Sequence, residues 1–147
     1  MATRVRDFEP AFRVNSDLDV SHHLLTYQVE DLAAGTGISA RPVFIVPPGF
    51  KGKVVDVRII SQGTAAGIDN SNTCVVALAN GSNAIVSKTY NATVTFPASG
   101  AADSLGTPSS TYGALAAGNI LRLSVTNGTT ANPPAFMLEV TYTLEAV

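Results

Sequence analysis

The feature that most limits what this chain can fold into is a succession of short runs in which apolar and polar residues alternate, each closed by Gly, Pro or Asn. Alternation at period two sends side chains to opposite faces of an extended strand, whereas a helix needs a period near 3.6. Leu25, Tyr27 and Val29 alternate with Thr26, Gln28 and Glu30. The apolar run 43–46 stops at Pro47-Pro48-Gly49, where two prolines withdraw backbone donors from any ladder. In 53–61, Val55, Val57 and Ile59 share one face, opposite Asp56 and Arg58. Residues 73–79 lead through Asn80-Gly81 into 84–90, and that pair tolerates the positive φ of a type I′ hairpin turn.

Further on, Val94 and Phe96 predict a short strand ended by Pro97. Residues 97–113 read as a long polar loop, with room for one helical turn within 103–115. Leu121, Leu123 and Val125 then alternate with Arg122 and Ser124. Phe136, Leu138, Val140, Tyr142 and Leu144 alternate with Met137, Glu139, Thr141 and Thr143. About eight one-faced strands separated by turns predict an all-β fold, an antiparallel jelly-roll-like β-sandwich of two packed sheets. At 147 residues the chain suits one domain, with core enough to need no disulfide or metal.

Residues 1–21 differ. Arg4, Arg6, Asp7, Glu9, Arg13, Asp17 and Asp19 crowd there with Phe8, Phe12 and Val14, no period is sustained, and Pro10 interrupts. This predicts an extended N-terminal arm over 1–21 and a sandwich domain over 22–147.

Hydrophobic residues make up 46% of the chain, but charged ones only 14%, well under the ~25% usual in soluble domains. Such a surface predicts burial against another subunit. Residues 73–79 sharpen this. A strand with one solvated face should alternate, yet Cys74, Val76 and Leu78 are opposed by Val75, Ala77 and Ala79, apolar on both sides. Such a strand either sits in the middle of the molecule or presses its second face against a symmetry mate. The low charge favours the latter, which makes the second set the candidate oligomer interface.

Several function classes are excluded on composition. A net charge of −2 without a basic run gives no footprint for nucleic acid. No apolar stretch approaches the ~20 residues of a membrane span. The start, MATRVRDFEPAFRVNSD, has no apolar secretory core, and the single Cys74 fits a reducing compartment. Asn80-Gly-Ser82, Asn91-Ala-Thr93 and Asn127-Gly-Thr129 therefore read as turns rather than glycosylation sites.

No residue set supports catalysis, a cofactor or a metal. His22 and His23 are adjacent and point to opposite strand faces, so a metal would need Asp17 or Asp19 as well. Asp56, Asp69, Asp103, Glu139 and Glu145 are isolated in sequence, with Glu139 expected to face solvent or a neighbour. Cys74 lacks a nearby base. Neither a Gly-x-Ser-x-Gly elbow nor a phosphate-binding glycine loop occurs. Tyr90 and Tyr112, near loops, are the candidate aromatics for stacking a sugar.

The stretch Phe44-Ile-Val-Pro-Pro-Gly-Phe-Lys-Gly-Lys-Val-Val-Asp-Val-Arg-Ile-Ile-Ser61, and Leu115-Ala-Ala-Gly-Asn-Ile-Leu-Arg-Leu-Ser-Val-Thr-Asn-Gly128 with the strand through Tyr142, resemble the jelly-roll capsid decoration (cement) proteins and head-fibre domains of tailed bacteriophages. The resemblance implies a structural protein that stabilises a shell from its outer surface. It implies a virion location after assembly in host cytoplasm, a homotrimer rather than a dimer, and the major capsid protein as partner. Under it, Arg4, Arg6, Phe8, Phe12 and Arg13 are the arm residues expected to engage that partner. The alternative is a carbohydrate-binding or fibre/adhesin-type β-sandwich module.

Overall fold

Each alternating run becomes a strand, and its apolar side decides which way it faces. The computed structural model describes residues 21–147, which form nine strands: β1 (Ser21–Val29), β2 (Ile38–Ile45), β3 (Phe50–Ser61), β4 (Cys74–Asn80), β5 (Asn83–Tyr90), β6 (Ala102–Ser104), β7 (Ala114–Leu115), β8 (Ile120–Asn127) and β9 (Phe136–Ala146). No helix occurs among the described residues.

The front sheet has the order β1-β9-β3-β6, with β7 also on β3, and the back sheet the order β2-β8-β4-β5. All pairings are antiparallel. The strands are nested: β1 lies beside β9, β2 beside β8, β3 beside β6 and β7, and β4 beside β5. This wrapped-hairpin arrangement is the jelly roll that the strand count predicts.

Residues from the inward faces of both sheets fill the space between. Val57, Ile59, Leu138, Val140 and Phe136 from the front meet Cys74, Val76, Leu78, Leu121 and Leu123 from the back, all fully buried. Tyr90 and Phe136 close one end of this core through Phe96, with ring centroids 4.8 and 5.8 Å from it.

Three local expectations fail, each for a physical reason. Val55 is exposed rather than inward, because the β3–β9 register slips between Val54 and Asp56. The bulge turns Val54 into the core instead and keeps Val57 and Ile59 in step. Residues 94–96 form no strand: Asn91 Oδ1 accepts the Thr93 and Val94 N–H groups in a turn, leaving Phe96 as a buried loop anchor. The 97–113 stretch is not all loop: it holds β6, whose three residues lie along Arg58–Ile60 of β3. The single helical turn expected within 103–115 is present at 110–113, where Gly113 N–H donates to the Ser109 carbonyl at 2.8 Å.

The two ends of the sandwich differ. Tight turns at Gly49, Gly81 and Gly118, all at positive φ, close one end. The other gathers the longer connections, bonded to one another through Gly35 to Ala131, Ala66 to Asn132 and Gln62 to Ala135.

Candidate functional site

The doubly apolar strand sits where its sequence asks. β4 is an interior strand of the back sheet, between β8 and β5. Cys74, Val76 and Leu78 are wholly buried inward, and Val75, Ala77 and Ala79 are half-buried on the outward face. Val75 lies between Thr126 and Thr89, Ala77 between Ser124 and Ser87, and Ala79 between Arg122 and Ala84. Every side chain in this block but one is Val, Ala, Ser or Thr. The exception, Arg122, is turned to the edge, where its Nη1 donates to the Ala40 carbonyl at 3.2 Å.

Such a face is low and nearly free of charge. Covering it immobilises few rotamers, since Ala loses none and Ser, Thr and Val little. It also strips water from almost no ionised group, the costly step in burying a polar surface.

The other residues singled out from sequence are scattered. His22 stands opposite Thr143 and His23 opposite Tyr142, with the His23 ring stacked on Tyr142 at 5.3 Å. The two imidazoles therefore lie on different faces of β1. Asp17 and Asp19, and the arm residues Arg4, Arg6, Phe8, Phe12 and Arg13, lie outside the described residues. Among the described residues, no three of His, Cys, Asp and Glu gather as metal ligands would.

Glu139 corrects its expectation. It stays on the outward face but is only 9% exposed, flanked by β1 and β3 on the interior strand β9, and its Oε2 accepts from Arg58 Nε at 2.5 Å. Asp69 is a turn residue: the Asn72 and Ser71 N–H groups hold its carboxyl below the ordinary range. Burial pushes the Cys74 thiol up to about 12, so it is a core hydrophobe with almost no thiolate at neutral pH.

Tyr90 is also corrected. It is not a surface aromatic but fully buried, and burial raises its phenol, helped by the bond its hydroxyl donates to Asp103 Oδ2 at 2.8 Å. Of the two aromatics considered for a sugar, only Tyr112 is exposed. The amide nitrogens of Asn80 and Asn127 are engaged by backbone carbonyls, as turn residues would be.

One cluster escaped the sequence reading. Lys88 on β5 meets Asp103 on β6 at 2.6 Å, donates to the Ser104 carbonyl at 2.9 Å and lies over the Tyr90 ring. These residues are distant in sequence and come from different sheets, so no local pattern marks them. An open groove of about 600 Å³ at the long-loop end is lined by Asp31, Gln62, Thr64 and Asn132 with Pro134 and offers no aromatic platform.

The described residues thus define a jelly-roll β-sandwich whose most distinctive surface is the outward face of β4. No protein-family model matches the chain, and no curated protein matches it. Among solved structures, a chain in "Structure of infectious bursal disease virus Gx strain" is similar over 88% of this chain, at 12% identity and a TM-score of 0.33. The alignment takes in 37% of that longer chain.

Proposed function

We propose that this chain is a structural virion protein, a decoration or cement subunit that seats on the outside of a capsid as a homo-oligomer, a trimer rather than a dimer, and performs no chemistry of its own. The observation that carries the reading is the outward face of β4. An interior strand of a solvated antiparallel sheet should present polar side chains outward, and this one presents Val75, Ala77 and Ala79 framed by Ser and Thr. The face suits contact between copies, while the charged arm engages the major capsid protein through Arg4, Arg6, Phe8, Phe12 and Arg13. The low overall charge and the resemblance of the 44–61 and 115–128 segments to phage decoration proteins support the same reading.

Two experiments test it. Val75→Asp places a charge in the proposed contact and should lower the oligomer mass in light scattering while the domain stays folded. Val76→Asp, one residue on, faces the core and should unfold it. Deleting residues 1–20, which leaves the Ser21–Leu144 pairing intact, should keep the melting temperature and sharply reduce co-sedimentation with shells assembled from the major capsid protein of the same virus. A Val75→Asp protein of unchanged mass would remove the interface. Full binding by the truncated protein would remove the arm's role.

A further inference from the structure

The four outer strands of the two sheets are not treated alike. An unpaired edge is a template for another strand, and proteins blunt it with prolines, bulges, charges or covering loops. β2 carries Pro42, Arg41, two register shifts and Ala40 at φ +42°. β5 carries Lys88, and the loop beyond β6 bonds to it, Ser109 N–H donating to the Ile85 carbonyl at 2.8 Å. The outer side of β3 is taken by the three-residue β6 and the two-residue β7, with Val54 and Val57 bonded to Gly113 and Leu105 between them.

Among the described residues, β1 has none of these devices. All nine of its residues pair with β9 without a register shift. The segment Ser-His-His-Leu-Leu-Thr-Tyr-Gln-Val contains no Pro, Gly, Lys, Arg, Asp or Glu. Among the described residues, no backbone group bonds to its other side. Leu24 is 57% exposed there.

We propose that the free edge of β1 is an interface strand that pairs with β1 of a second copy about a two-fold axis, running the front sheet continuously through both. The occupant follows from the strand's own chemistry. A two-fold puts a strand against itself, so any charge near its centre meets a like charge, which destabilises the pair; β1 has no formally charged side chain. The register follows as well. Faces stay continuous only if even-numbered residues oppose even-numbered ones, and the alignment that pairs all nine sets Leu25 against its own copy. Leu24 then lies against Thr26, and His23 against Tyr27, so the exposed Leu24 gains cover. Nine pairs make a seam about 30 Å long.

This surface is separate from the outward face of β4, so the test is run in wild-type and Val75→Asp backgrounds. The readout in each is a halving of mass, by sedimentation equilibrium at tens of micromolar. Leu24→Lys with Thr26→Lys puts ammonium groups opposite each other across the two-fold and should halve the mass. Leu24→Lys with Thr26→Glu alters the same exposed positions but sets Lys against Glu, and should keep the unsubstituted mass. Circular dichroism should show all variants folded. The proposal is overturned if the Lys/Lys protein keeps its mass, if the Lys/Glu protein dissociates like the Lys/Lys one, or if, in a monomer, the β1 amides that do not bond to β9 are already shielded from hydrogen exchange.

Discussion

Lys88 and Asp103 belong to different sheets, yet their charged groups stand 2.6 Å apart and close one side of the sandwich. The carboxylate also accepts the Tyr90 hydroxyl, so one acid satisfies two donors. Asp103→Ala should leave the buried phenol with no acceptor and the half-buried ammonium with only the Ser104 carbonyl, costing about 1–3 kcal/mol. Tyr90→Phe keeps the ion pair and should cost about 1 kcal/mol or less. Urea titrations of the two variants give the comparison, and a larger loss for Tyr90→Phe would show that the carboxylate is not the organising group.

Cys74 makes stability depend on alkaline pH. The native thiol ionises near about 12 against an ordinary value of 9.0, so the unfolded chain releases its proton first. The stabilisation is complete below pH 9 and declines as pH rises from 9 towards 12, by up to about 1.4 kcal/mol per unit. Tyr90, also raised, adds the same trend only above its ordinary value of 10.0. Cys74→Ala should therefore flatten the fall in melting temperature between pH 9 and 10. Iodoacetamide should label native wild-type protein at pH 8.5 far more slowly than urea-unfolded protein.

Gly52 is fixed by space rather than by conformation. A Cβ there would stand 1.7 Å from the Thr143 carbonyl oxygen, on the strand that β3 must pair with. Gly52→Ala should cost about 3 kcal/mol, the upper end of overpacking, because backbone has to move. Gly49, at φ +79° with nothing within 4 Å, should lose only about 1–2 kcal/mol as Ala through left-handed strain. Thermal melts in which Gly49→Ala proves the worse of the two would refute this ranking.

Asn80 ties two turns together. Its Nδ2 donates to the Ala114 carbonyl at 3.2 Å and to Asn119 Oδ1 at 3.0 Å, and Asn119 Oδ1 in turn accepts the Ala116 N–H. Asn80→Asp replaces the donor with a second acceptor and should cost about 2 kcal/mol, more than Asn80→Ser. Denaturant midpoints that rank the two variants the other way would argue against the network.

The alternating runs were legible because each long strand buries one face, and that burial writes its period into the residues. β6 and β7 were not, since three and two residues are too few to show a period. Val55 misled because a bulge is a property of the pair β3–β9, invisible in either strand alone. Phe96 misled because a buried aromatic can be held by Tyr90 and Phe136 without any ladder. The β4 face was legible for the opposite reason: Val75, Ala77 and Ala79 break the alternation itself. Glu139 and the Lys88–Asp103–Tyr90 cluster depend on partners far along the chain, and nothing beside them in sequence announces those partners.

The nesting of the strands also sets how this chain must reach its structure. Only β4 and β5 are joined by a two-residue turn; β3 waits for β6, β2 for β8, and Ser21 of β1 meets Leu144 of β9 across nearly the whole domain. Closing a long loop costs entropy before its contacts repay it, so the β4–β5 hairpin is the favoured starting point and the outer pairs add in turn. Refolding should be slow for a domain of this size, on the order of milliseconds to seconds. Gly81→Val, which strains the two-residue β4–β5 turn at a position open to solvent, should slow refolding by more than it speeds unfolding.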